Sequence, residues 1–130
     1  MTFENLGQNY LIRAKKRRVA LVALMEVEDW ADVVREAQEL VELVLKGLLR
    51  IAGIDPPHHH DVGPFIIEFS SRLGLSPEEA AKTAAISMRL RKEREQAFYG
   101  DIDMIPSDIY KKEDGERALA DADYILALIR

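Results

Sequence analysis

Residues 29–57, "DWADVVREAQELVELVLKGLLRIAGIDPP", decide how the chain folds. Apolar side chains recur at Trp30, Val33, Val34, Ala37, Leu40, Val41, Val44, Leu45, Leu48 and Leu49, the three- and four-residue spacing that gathers on one helix face. A stripe this wide marks the central helix of the fold. Asp29 stands as its N-cap, because a carboxylate there accepts from the free amides of the first turn. Gly53 suits the C-cap, and the successive prolines Pro56 and Pro57 cannot continue the hydrogen-bond ladder. The segment "AGIDPPHHHDVGP" that follows is therefore a loop.

On either side the pattern stays helical. Residues 3–27 carry Leu6, Tyr10, Ala14, Leu21 and Met25 as a face, interrupted by the basic run Arg13, Lys15, Lys16, Arg17 and Arg18. Residues 65–73, "FIIEFSSRL", make a short apolar helix or turn. In "LSPEEA" Ser76 is the N-cap, Pro77 the first helical residue and Glu79 the capping-box partner. From Pro77 the pattern runs through Ala80, Ala81, Ala84, Ala85, Met88 and Leu90 to about Tyr99, where Gly100 can close the helix in a left-handed conformation. "DIDMIPSDIY" reads as an irregular connection. A last helix over 114–129 presents Ala118, Ala122, Ile125, Leu126 and Ile129. Alternating strand patterns are absent. Helices of about 23 residues span about 34 Å at 1.5 Å per residue, so the expectation is an all-α, antiparallel up-and-down bundle of four to five helices forming one domain over residues 1–130.

The chain of 130 residues is long enough to bury a self-sufficient core, and it contains no cysteine. That excludes a disulfide scaffold, a cysteine metal site and a thiol nucleophile. No uncharged apolar run approaches the ~18 residues a membrane helix needs, and the first residues lack a secretory pattern. The expected location is cytoplasmic, with no membrane contact. A net charge of −5 argues against a general nucleic-acid coat, while leaving room for a local basic patch.

Several clusters compete as sites. His58, His59 and His60 are adjacent on a loop, whereas zinc ligands on helices sit three or four apart, so the expectation is no metal and no cofactor. One of these imidazoles can still cap a helix or meet a phosphate near neutral pH. Asp101, Asp103 and Asp108 read as turn formers and caps in preference to magnesium ligands. Glu42 and Lys46, four apart, read as a helix-surface ion pair. The basic run at 13–18 spreads around its helix, since consecutive residues turn by about 100°, and cannot form one compact clamp. Arg91, Arg94 and Phe98 do share a face, with Glu95 beside them. Guanidinium groups there can grip a phosphate bidentately beside an aromatic ring, or simply complement the helix dipole and pair with carboxylates.

"WADVVREAQELVELVLKGLLRIAGIDPPHHHDVG" resembles the signature of the HEPN domain, a small helical domain that often accompanies minimal nucleotidyltransferases. The residues that carry the likeness are Ala37, Gln38, Glu42, then Lys46 with an apolar pair after it and a histidine-containing loop. "RLRKEREQAFYGD" and "YKKEDGERALADADYIL" resemble that family's last two helices. The resemblance implies an antiparallel bundle of four or five helices and a homodimer. Many HEPN proteins resemble toxin ribonucleases, in which an arginine followed four to six residues later by a histidine cuts RNA without metal at a dimer cleft. Others bind or regulate without cutting, beside a nucleotidyltransferase.

In this sequence Arg94 falls where the motif arginine belongs, and the histidine position holds Tyr99. A phenol with an unperturbed pKa of about 10 is a poor general base at neutral pH, where an imidazole near 6.5 suits the task. The resemblance thus points first to a nucleotide- or RNA-binding regulatory module in a toxin–antitoxin-like pair. Its candidate residues are Arg91, Arg94, Tyr99, His58, His60 and Lys46. The alternatives are a metal-independent ribonuclease in which Arg94 holds the phosphate and Tyr99 or a loop histidine moves protons, and a non-catalytic dimeric scaffold.

Overall fold

In a computed structural model that describes residues 3–58, 61–98 and 105–130, those described residues form four long helices and two short ones. They are α1 (Phe3–Glu26), α2 (Trp30–Ile51), α3 (Gly63–Glu68), α4 (Pro77–Phe98), α5 (Pro106–Ile109) and α6 (Lys112–Leu126). The described residues contain no strand. Side chains at 95–98 lie outside the description, as do residues 59, 60 and 99–104 entirely.

The central stripe behaves as its spacing predicts. Val33, Val34, Ala37, Leu40, Val41, Val44, Leu45 and Leu49 are buried, and Trp30 and Leu48 pack against them at the margin. α2 therefore contacts α1, α4 and α6, and the core lies around it. Its start is fixed by Asp29, whose side chain accepts from the Asp32 amide at 3.2 Å. Its end is released by Gly53 at φ 80°, a left-handed conformation that costs glycine no Cβ clash.

Cross-helix pairs set the directions. Gly7 near the start of α1 touches Gly47 near the end of α2, so these two run antiparallel. Arg91 and Arg94 on α4 meet Glu42 and Glu39 on α2, in reversed order. Arg89 and Arg117 link α4 to α6 through Asp121 and Glu93, again reversed. The up-and-down arrangement follows.

The capping box of α4 is complete. The Ser76 hydroxyl accepts from the Glu79 amide at 3.1 Å, and the Glu79 carboxylate accepts from the Ser76 amide at 3.0 Å. That backbone hydrogen bond, opposed by slight desolvation and aided by Arg130, holds the Glu79 carboxyl below the ordinary carboxylate range.

Four expectations need correction. The inward face of α4 is Ala80, Thr83, Ile86, Ser87 and Leu90, whereas Ala81, Ala85 and Met88 point outward. Alanine is permissive in both settings, so periodicity alone did not separate the two faces. On α1 it is Leu11, with Ala14 and Leu21, that is buried, Leu11 lying at the close approach of α1 to Gly47, while Leu6 and Tyr10 are only half-buried. The apolar segment at 65–73 starts earlier, at Gly63 with Pro64 in its first turn, and ends at Glu68. The "irregular" connection contains the single turn α5, and α6 begins at Lys112, two residues before the expected start. The end of α4 at Gly100 falls outside the described residues.

Candidate functional site

α2 and α4 cross with long side chains between them, and an open cleft of about 590 Å³ remains. α2 contributes Gln38, Glu42 and Lys46, which fall at steps of four and so line up along one edge of its buried stripe. α4 contributes Met88, Arg91, Lys92 and Arg94, and the loop after α2 adds His58 and Asp61. Four expected site residues, Lys46, His58, Arg91 and Arg94, thus meet in one place although they are far apart in sequence. His60 and Tyr99, the other two, lie outside the described residues, as do His59, Asp101 and Asp103. Asp108 is on α5.

The charges are partly matched. Glu42 lies 3.3 Å from Arg91 and 3.9 Å from Lys46, and it accepts from the Gln38 amide nitrogen at 3.0 Å. Arg94 lies 2.6 Å from Glu39. The expected Glu42–Lys46 pair is present, extended by Arg91 into a three-charge group. Exposed ion pairs of this kind contribute about 0–1 kcal/mol. A bidentate hydrogen bond from a guanidinium to phosphate is stronger, at about 1.5–3 kcal/mol, so an incoming phosphate can draw these arginines off their carboxylates. Lys46, Arg91, Lys92 and Arg94 face Glu42 and Asp61 in the cleft lining and Glu39 beside it, four cations against three carboxylates, which leaves the cleft positive on an acidic protein.

Asp61 is the fixed point of the loop wall. One of its carboxylate oxygens, Oδ1, accepts from the Gly63 amide at 3.0 Å and from the Ser87 hydroxyl at 2.8 Å. These bonds tie the loop to α4 and hold it at the cleft. Sequence reasoning left out Asp61, Lys92 and the site role of Gln38. The signal for Gln38 was available in the step of four shared with Glu42 and Lys46. Nothing local in the sequence indicated that Asp61 would reach Ser87, 26 positions away.

Most of the basic run on α1 serves elsewhere, although Arg13 lines a neighbouring depression with Glu39, Glu42 and Lys46. Arg17 lies 2.6 Å from Glu36 on α2, and Arg18 donates to Asp123 on α6 at 2.7 and 3.1 Å, so both clasp helices together. Among the described residues no three histidine, aspartate or glutamate side chains gather as a metal site, and no helix is long and apolar enough to cross a membrane.

No curated protein and no solved structure matches the chain. The HEPN domain family model does, over residues 8–130, which takes in all of α2, α4 and α6, the loop that carries His58 and most of α1. A match over nearly the full length, on an all-helical architecture, means that the chain belongs to the HEPN domain family.

Proposed function

We propose that this HEPN chain is a nucleotide- or RNA-binding regulatory module, acting as a homodimer beside a nucleotidyltransferase, with the α2–α4 cleft as the ligand site. The observation that carries the reading is the convergence of Lys46, His58, Arg91 and Arg94, joined by Lys92, on one cleft where cations exceed carboxylates. The dimer finds support in the family and in exposed apolar side chains on α1, where Val19 is 73% exposed and Ile12 52%.

The test is the affinity of the purified chain for a fluorescent single-stranded RNA decamer across a salt series. Removing one cation that neutralises a phosphate should lower the salt slope by about 0.7. Lys92→Ala is expected to weaken binding about threefold to tenfold and to flatten the slope, with folding intact because Lys92 is exposed. If Lys46→Ala combined with Lys92→Ala binds as tightly as the parent, the cleft is a scaffold feature and the reading fails. A single monomeric peak in sizing over a hundredfold concentration range removes the dimer.

One observation favours a second reading, metal-independent RNA cleavage: His58 lines the same cleft as Arg91 and Arg94. In that reaction the imidazole takes the proton of a ribose 2′-hydroxyl, and the resulting oxygen attacks the adjacent phosphorus. The 5′-oxygen leaves and takes a proton from water, while the arginines balance charge on the phosphoryl oxygens. Chelator-insensitive cleavage that disappears in His58→Ala supports it. RNA left intact by excess protein rules it out.

A further inference from the structure

Beside the cationic cleft lies a second depression of about 510 Å³ between α3 and α4, lined by Pro64, Ile67, Ala81, Ala85 and Met88, and the two adjoin at Asp61 and Met88, which line both. This trough is apolar where the cleft is charged. Its α4 side is shallow because Ala84 and Ala85 follow one helical turn after Ala81 and none of the three carries a side chain beyond Cβ. Its rim is unusually apolar for a surface, with Ile67 54% exposed and Met88 49% exposed. At the junction stands Asp61, whose Oδ1 is occupied by Gly63 and Ser87 while Oδ2 accepts no hydrogen bond from either.

A ligand that fills both depressions must carry an anion at one end, hydrogen-bond donors in the middle and a flat apolar group at the other. The Asp61 carboxylate cannot face a phosphate without repulsion, so a middle group that suits it is a hydroxyl or an amine that can donate to it. From this order we infer that the α3–α4 trough is a base-binding subsite. A nucleoside phosphate places its phosphate among Arg91, Lys92 and Arg94, its ribose hydroxyls at Asp61 and its base over Ala85 between Met88 and Ile67. The polarizable thioether of Met88 suits the edge of an aromatic ring. The inference rests on the proposed function, since it needs phosphate in the cleft. It adds which surface reads the base, and it commits the trough to a nucleobase in place of a second copy of the chain.

The experiment compares adenosine 5′-monophosphate with ribose 5-phosphate by calorimetric titration, in the parent and in Ala85→Gln. That substitution fills the trough from an exposed helical position without changing charge. The base is expected to improve affinity about tenfold in the parent, and the ratio should fall to near one in Ala85→Gln. A ratio near one in the parent, with ribose 5-phosphate still bound, overturns the subsite and leaves the cleft reading standing. Failure of both ligands and of the RNA decamer removes the cleft reading and the subsite with it. If Ala85→Gln turns a dimer into a monomer with the ratio unchanged, the trough is a self-interface and the inference is wrong.

Discussion

α2 meets its neighbours in two opposite ways. Against α1 it presents bare backbone: a Cβ added to Gly7 would sit 2.7 Å from the Gly47 carbonyl oxygen, and one added to Gly47 would sit 2.8 Å from a Leu11 methyl. Against α4 it presents Gln38, Glu42 and Lys46, long side chains that stand the helices apart and hold water-accessible space between them. The first contact excludes any ligand because nothing remains to be displaced. The second trades packing for weak ion pairs that an outside charge can replace. One helix is thus both the rigid reference of the bundle and one wall of its cleft, and the two roles fall on different edges of the same stripe.

The largest effect should come from closing the gap at the backbone contact. In an open helix Gly→Ala gains about 1 kcal/mol from propensity. At Gly7 the obstructing atom is a main-chain oxygen that cannot rotate away, so overpacking wins. Gly7→Ala should lose about 1–3 kcal/mol net, read as a lower denaturant midpoint. Gly115 offers a second case, since its added Cβ would lie 2.6 Å from the Trp30 ring. An indole can shift where a carbonyl cannot, so Gly115→Ala should cost less than Gly7→Ala. A reversed order would mean that the α1–α2 crossing yields more readily than its geometry implies.

The cap of α4 comes next. Ser76→Ala removes the acceptor for the Glu79 amide and should cost about 1 kcal/mol. With a lowered folded pKa, the contribution of Glu79 is present above its unfolded pKa and is lost as pH falls through the depressed folded value. The parent and Glu79→Gln should therefore converge in stability on acidification. On the cleft side, Arg94→Ala should change stability by under about 0.5 kcal/mol, because its pair with Glu39 is half exposed. A large loss there would show that the charged face holds the bundle together as firmly as the glycine face does.

The contrast between the faces also explains what was legible. The stripe on α2 and the capping box at Ser76 are local patterns, and both could be read directly from spacing. The glycine crossing could not, because Gly7 looks like a weak point in a helix until its distant partner Gly47 is known. Likewise the cleft needed the fold: Arg91 and Arg94 were visible as a face, but that His58, Asp61 and Lys46 would join them is a tertiary fact. The two faces of α4 were confused because alanine satisfies a core and a surface equally well, and the exposed alanines proved to line the trough.

The smallest effect tests whether charge on the far side of α4 matters at all. Glu93 faces Arg117 at 3.5 Å, with Arg89, Asp114 and Asp121 also in its field. Burial outweighs the arginines and pushes its carboxyl above the ordinary range. Above the folded pKa the ionised group is then a net cost to folding; the cost fades as pH falls through that value and vanishes below the unfolded one. Glu93→Gln should therefore be slightly more stable than the parent at neutral pH, by no more than about 0.3 kcal/mol given partial solvent screening, with the gain disappearing in acid. Tyr110 reads the same field, because its hydroxyl donates to the Glu93 carbonyl at 3.2 Å and its phenol is pushed up by burial and then by the Glu93 charge. In Glu93→Gln the Tyr110 titration followed by ultraviolet absorbance should move down. If it does not move, the charge of Glu93 is screened from α5, and this side of α4 is held by packing alone.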